Sequence, residues 1–452
     1  MDGEPAFKAI CDLIPEAMEL HHVPGVAVGL LCEGREFAAG FGVTNVRHPL
    51  PVTEKTLFQI GSTTKTFTGT AVMRLVEMGK LDLDTPIRAY LPDFKMRDDV
   101  VTERVSMRHL LTHTGGWEGD YFSDTGDGDD ALGIYVREMA ELPQITPLDT
   151  IWSYNNAAFS LAGHVIAAVT GQSYEAALKE LVIGPLGLKR SLVFPADVMT
   201  HRFAVGHAVR DGTAFPVRPW KIPRSAWPAG GIAASIEDQL RYARFHLGDG
   251  CAQDGTRLLR PETLALMHQP VVPSVLDQEM ALSWMTRTWH GVRIVFHGGG
   301  TLGQISSFTF LPERNFALAV NTNAGSGGMM AMEATREAIA ELVGFKEPEP
   351  IHIPMSAAQL AEYAGLYRAA LQDFEIKLDG DHLVLQTIPK GGFPTKETPA
   401  GPRPPATRMA FIGIDHVITL DPPLKDMQAE FLRNPNGQLA WFRASARIHK
   451  RT

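Results

Sequence analysis

The chain has 452 residues, 44% hydrophobic and 21% charged, an ordinary composition for a folded globular protein and too long for one small core. Its 42 basic and 51 acidic side chains leave a net charge of −9 with no basic cluster, which argues against nucleic acid as a partner. No apolar run approaches the roughly 18 residues of a membrane span, and Cys11, Cys32 and Cys251 are too scattered for a disulfide framework or a metal knuckle.

At the N-terminus, Phe7, Ile10, Leu13, Ile14 and Met18 recur at helical spacing and predict a surface helix. The acidic start lacks the basic and apolar regions of a leader peptide, so a cytoplasmic protein is expected. "GVAVGLLCEGREFAAGFGVTN", from Gly25, predicts a β-hairpin around a polar turn. "STTKTFTGTAVMRLVEMGK", from Ser62, predicts a long, largely buried helix. "VSMRHLLTHTGGW" predicts another that stops at Gly115-Gly116. "GDYFSDTGDGDD", from Gly119, predicts a long surface loop able to shape a substrate entrance.

Further on, "NNAAFSLAGHVIAAVTGQSYEAALKELVIGPLGL" predicts two helices around a glycine break, and Ser235 is placed to cap a helix three residues before Asp238. The β-type runs "GVRIVFHGG", "QISSFTFLP" and "FALAVNTNAG" precede a helix from about Met329 to Val343. Interleaved strands and helices with hairpins at both ends predict an α/β or α+β domain over 1–345, its one sheet drawing strands from both ends. The proline-rich and charged "GFKEPEPIHIPMS" marks a linker, 346–356. Beyond it, over 357–452, hairpin signals at Asp379-Gly380, Asp415 and Asn436-Gly437 predict a small all-β barrel.

Three short motifs carry the chemistry. In Ser62-Thr63-Thr64-Lys65 the spacing of three puts an amine on the same helical face as a hydroxyl. A serine needs such a base to become a nucleophile, and desolvation makes lysine surrender its proton more easily. Tyr154-Asn155-Asn156 supplies a phenol whose pKa nearby cations would lower, and an amide able to orient the lysine while donating to a substrate carbonyl. His297-Gly298-Gly299, at the end of a β run, lets a substrate lie against bare backbone whose N–H groups face a carbonyl oxygen. Each motif alone has a bland alternative: an exposed lysine, a buried tyrosine, a glycine loop.

Together and in this order, the motifs resemble the penicillin-binding-protein and class C β-lactamase-like serine hydrolases. The resemblance covers about Gly25 to Gly344 and includes "LTHTGGW", "SYNNAAFSLAG", "PLGL" and "PAGGIAAS". It implies a β-lactamase/transpeptidase-like α+β fold and an acyl-enzyme on Ser62, with Lys65 and Tyr154 sharing the proton traffic and Asn156 positioning the substrate. The oxyanion hole would be the backbone N–H groups of Ser62 and Gly300, with Gly298, Gly299 and Thr301 along the substrate and no metal or organic cofactor. Where penicillin-specific members carry Lys-Thr-Gly this chain has His297-Gly298-Gly299, exchanging a fixed charge for a group that titrates near neutrality. That disfavours β-lactams and points to a small or peptide-like substrate, as in D-aminopeptidases, esterases and peptide-cyclising thioesterases. "LAEYAGLYR" is similar to the opening strand of the lipocalin-like barrel that several such relatives carry.

The leading expectation is therefore a serine hydrolase of amides or esters. Cyclisation of a peptide is the alternative, and a β-lactamase, a DD-carboxypeptidase or a catalytically silent binding protein ranks lower. Arg443 or Arg447 could reach a substrate carboxylate across the domain interface, although a solvated strand face is their blander reading. His109 and His113 have a zinc-compatible spacing but read as core. Asp124, Asp127, Asp129 and Asp130 read as a solvated loop rather than a calcium site. Trp117, Trp220 and Trp227 are candidates for an apolar pocket lining.

Overall fold

The computed structural model describes residues 3–344 and 349–452. The expected boundary at 345 and the first residues of the expected linker lie outside them. The chain opens with α1 (Gly3–Leu20) and a hairpin, β1 (Gly25–Cys32) and β2 (Arg35–Gly42). Four strands from a later stretch, β3 (Val272–Pro273), β4 (Glu279–Met280), β5 (Met285–Trp289) and β6 (Val292–Thr301), are followed by β7 (Gln304–Leu311) and β8 (Phe316–Thr322). They join the hairpin in one eight-stranded antiparallel sheet ordered β2-β1-β8-β7-β6-β5-β4-β3.

β1 reads as an unbroken apolar run because both its faces are covered. Val26, Val28 and Leu30 pack with Ile10 and Ile14 of α1 and with Met330 and Ala334 of a late helix, Gly327–Val343. Ala27 and Leu31 face the main core. On that side Gly29 admits the helix Ile236–Leu247, since a Cβ would strike Ile236 and Leu240. Ser235 caps this helix by accepting from the Asp238 N–H, as expected.

The buried helix, α2 (Thr64–Glu77), has eleven of its fourteen residues out of water. Thr66 and Thr70 donate to carbonyls one turn back, Thr68 and Thr70 meet the Tyr174 and Tyr242 hydroxyls, and Thr64 accepts from Ile232 N, which satisfies a polar helix inside a core. Two local expectations are corrected. The helix at Met107 ends at Leu111 rather than at the glycines, and His113 takes a left-handed backbone (φ 58°). The segment from Gly119 is only partly a surface loop: Asp120, Phe122 and Ser123 are buried, and exposure begins at Asp124.

Eight C-terminal strands close into a barrel in sequence order: β9 (Gly365–Arg368), β10 (Gln372–Asp379), β11 (His382–Pro389), β12 (Thr407–Gly413), β13 (His416–Thr419), β14 (Gln428–Arg433), β15 (Leu439–Ala444) and β16 (Arg447–Arg451). Closure between Tyr367 and Arg451 removes the free edges. Tyr367, Phe374, Phe431 and Phe442 fill its interior. A short helix, Ala357–Ala361, precedes the first strand, where "LAEYAGLYR" reads as strand throughout.

The barrel's last hairpin docks onto residues 152–154. Arg443 Nη1 donates to the Trp152 carbonyl (2.9 Å), Tyr154 N to the Ala446 carbonyl (2.9 Å), and Ile448 N to the Ser153 hydroxyl (3.2 Å). These bonds set the backbone on which Tyr154 stands.

Candidate active site

Ser62 sits in a 3-10 turn, Gly61–Thr63, that runs directly into α2. The turn is held against the sheet by the Ser306 hydroxyl, which donates to the Ile60 carbonyl (2.7 Å) and lies 2.9 Å from Thr63 Oγ1. Gly61 has φ 49° and a Cβ there would meet the Gly300 backbone, so glycine alone allows the turn and β6 to approach this closely.

Lys65 is fully buried. Its Nζ lies 3.1 Å from Ser62 Oγ, 2.7 Å from Asn156 Oδ1 and 2.8 Å from the Ala229 carbonyl. Burial, assisted by the Arg447 guanidinium and opposed by Asp120, holds the amine well below the usual lysine range. A neutral amine has two N–H donors and one lone pair. The Ala229 carbonyl and Asn156 Oδ1 can only accept, so the lone pair is left for the Ser62 hydroxyl.

Tyr154 and Asn156 flank Asn155, the N-cap of the helix Asn156–Thr170, whose side chain accepts from Ala158 N (2.8 Å). His113 fixes this corner by accepting from Asn155 N (3.1 Å). The Tyr154 hydroxyl is buried, close enough to Ser62 to feel it, yet short of a hydrogen bond. The expectation of a lowered phenol pKa is corrected here: burial pushes it up, outweighing both Ser62 and Arg447. Asn156 does orient Lys65, and its Nδ2 donates to Asp120 Oδ1 (2.6 Å).

His297 is 2% exposed, its Nδ1 2.7 Å from the Gly298 carbonyl and its ring 6.1 Å from that of Tyr154. Burial and then the Lys65 charge push its pKa down to about 3. The expected near-neutral partner for a substrate carboxylate is thus a neutral imidazole packed behind the site. Gly298 and Gly300 are the exposed positions of this run, while Thr301 Oγ1 donates to Gln59 Oε1 (2.8 Å).

Ser62, Asn156, Gly300 and Thr301 line one cavity of about 250 Å³. Its apolar wall is Phe122, Ile222, Leu371 and Phe393, the last two from barrel loops, and Arg447 closes one side. None of Trp117, Trp220 and Trp227 lines it: Trp117 and Trp227 are core, and Trp220 packs on Phe203. Neither arginine stands free on a strand face. Arg443 is 7% exposed and paired with Glu430 (2.9 Å), and Arg447 reaches across to Asp120 (2.9 Å) with its guanidinium 4.7 Å from the Tyr154 ring.

Sequence reading missed Asp120, Phe122 and Phe393. A buried aspartate in an otherwise glycine- and aspartate-rich run has no local signature. His109 stands in a capping box with Ser106, and among the described residues no group of three or more His, Cys, Asp or Glu side chains could hold a metal. Asp127 pairs with Lys221 (2.8 Å) and Asp129 with Arg224 (2.6 Å), both carboxylates on the exposed stretch. No helix among the described residues is long and apolar enough to cross a membrane.

Comparison with known proteins gives the relationships. The beta-lactamase family matches residues 11–342. Penicillin-binding protein 4 of Amycolatopsis lactamdurans is 36% identical over 356 residues, covering 77% of this chain and 93% of that protein. An unguisins hydrolase of Aspergillus campestris is 25% identical over 337 residues, and the alignment spans 71% of this chain but only 62% of the relative. The crystal structure of SurE superposes with a TM-score of 0.78 at 26% identity over the whole of both chains, and SurE with D-Leu does so at 0.76 and 25%. By the extent of the family match and the likeness to penicillin-binding protein 4, the chain belongs to the beta-lactamase family.

Proposed function

We propose that the chain is a serine hydrolase that forms an acyl-enzyme on Ser62 from the amide or ester of a small, peptide-like substrate. One observation carries this reading: a fully buried Lys65 Nζ that lies 3.1 Å from Ser62 Oγ while Asn156 Oδ1 and the Ala229 carbonyl, which can only accept, take up its N–H donors. As the Ser62 oxygen bonds to the carbonyl carbon, its proton passes to Lys65, and the resulting oxyanion faces the N–H groups of Ser62 and Gly300. The neutral Tyr154 phenol protonates the leaving group and recovers a proton from the Lys65 ammonium, so both groups end the half-reaction as they began. Water then repeats the sequence in the leaving group's place.

The cavity supports an apolar residue with a nearby carboxylate, received by Phe122, Ile222 and Phe393 on one side and Arg447 on the other. A D-configured residue fits the likeness to SurE, which has been crystallised with D-Leu. A second reading, attack by the substrate's own amine with ring closure, draws on the barrel's Leu371 and Phe393, apolar groups that limit water at the acyl group.

The test is intact-protein mass spectrometry with D- and L-terminated amides, esters and peptidyl thioesters. Wild-type protein is expected to gain the acyl mass and Ser62→Ala none; equal turnover by both proteins refutes the reading. Release of only linear acid from the thioesters excludes cyclisation. In the same panel Phe393→Ala is expected to lower kcat/KM about tenfold to a hundredfold for large apolar side chains and to spare acetyl esters. An unchanged side-chain profile removes Phe393 from specificity.

A further inference from the structure

We propose that Asp120 is a positioning residue that ties the barrel's Arg447 to the Ser62–Lys65 pair, so that barrel docking sets the direction of the lysine's lone pair. This rests on the acyl-enzyme reading above. Asp120 is 8% exposed and fully partnered: its Oδ1 accepts from Asn156 Nδ2 (2.6 Å) and from Arg447 Nη2 (3.3 Å), its Oδ2 from Arg447 Nε (2.9 Å).

An amide has one donor end and one acceptor end, and Asp120 is acceptor-only. With Asp120 in place Asn156 has one orientation, its Nδ2 toward the carboxylate and its Oδ1 toward Lys65. The amine must then donate to Oδ1 and to Ala229, which leaves the lone pair for Ser62. Without the carboxylate Asn156 is free to turn over and present its N–H groups to the amine, drawing the lone pair away from the serine. Arg447 in turn holds Asp120 in place from the barrel, and Glu118 of the same segment is itself pushed up by burial.

The two charges also act on Lys65 with opposite sign, Arg447 lowering its proton affinity and Asp120 raising it. The other titratable groups around the amine, Tyr154, His113 and His297, are kept neutral by burial. Asp120 and Arg447 are therefore the charges whose removal moves Lys65.

The experiment measures Ser62 acylation by an activated acetyl ester against pH, with melting curves as the control for folding. Asp120→Leu is expected to lose at least tenfold at the alkaline plateau, because Asn156 is released. Asp120→Asn keeps an acceptor for Asn156 and is expected to hold most of the plateau while its acid limb moves to lower pH. Arg447→Met is expected to move the acid limb to higher pH. Should Asp120→Leu fail to fold, the opposed limb shifts of the other two variants decide. Limbs that stay in place, or move together, overturn the inference while wild-type acylation still stands; absence of acylation in the wild type overturns the function instead.

Discussion

Replacing Lys65 by methionine or by arginine is expected to slow acylation of Ser62 by about three to four orders of magnitude, with folding kept. Methionine fills much the same volume but offers neither donor nor lone pair. It leaves Asn156 Oδ1 and the Ala229 carbonyl unpartnered, at about 1–3 kcal/mol each, and it also removes the cost of desolvating an amine, so the two effects oppose each other. Arginine is the sharper variant. It keeps donors near both acceptors but is protonated at every working pH and has no basic lone pair. An arginine variant that acylated at the wild-type rate would leave Lys65 a structural donor and nothing more.

The same geometry fixes the sign of the pH dependence. In the proposed mechanism Lys65 works as the neutral amine, and burial lowers its pKa, so activity is expected to extend below the usual lysine range and to fall as acid protonates it. His297 titrates at about 3 and so stays neutral through the range in which a lysine base would lose activity. His297→Gln should therefore leave the acid limb of kcat/KM near its wild-type position. A limb displaced by a full pH unit would hand the titration to the imidazole.

Patterns confined to one element were readable from residue order. The hairpin at Gly25, the Ser235 cap and the barrel's turns at Asp379-Gly380 and Asn436-Gly437 each follow from local backbone preferences and appear where expected. The Ser62–Lys65 contact was equally local, a spacing of three on one helical face. What stayed hidden depends on juxtaposition. Nothing near Arg447 marks it as reaching Asp120, 327 residues away, and nothing in "GGFPTK" says that Phe393 stacks edge-on against Phe122 with centroids 4.9 Å apart. Charge states were hidden for the same reason. Tyr154 was expected to ionise more easily because cations were near, and His297 to titrate near neutrality. Both expectations treated the groups as exposed, whereas the core around them makes desolvation the larger effect.

Gly299→Ala is expected to reduce kcat by about a hundredfold to a thousandfold, the effect of losing one oxyanion donor, while Gly300→Ala should remain within a few-fold of wild type. The two glycines are adjacent on β6 and point to opposite sides, so they separate two explanations of the run. A Cβ on Gly299 would overlap the Ile60 carbonyl and come within 2.7 Å of Ser62 N and 2.8 Å of Ser306 Oγ. Two of these are backbone atoms of the segment that presents Ser62 and cannot turn aside, and the third is the β7 hydroxyl that holds that segment against the sheet. The strand and the turn must then separate, and the proposed oxyanion pair, the Ser62 and Gly300 N–H groups, is expected to lose its common focus. A Cβ on Gly300 would meet only Ile305 Cδ1, at 3.3 Å, the end of a flexible side chain, and its N–H would remain. Glycine at 299 is thus required by the approach of backbone to backbone, and at 300 by nothing the protein itself contains. Should Gly300→Ala prove as damaging as Gly299→Ala toward a small ester, the N–H placement would be ruled out as the cause. Damage confined to larger substrates would instead place their chain along the exposed edge at Gly298 and Gly300.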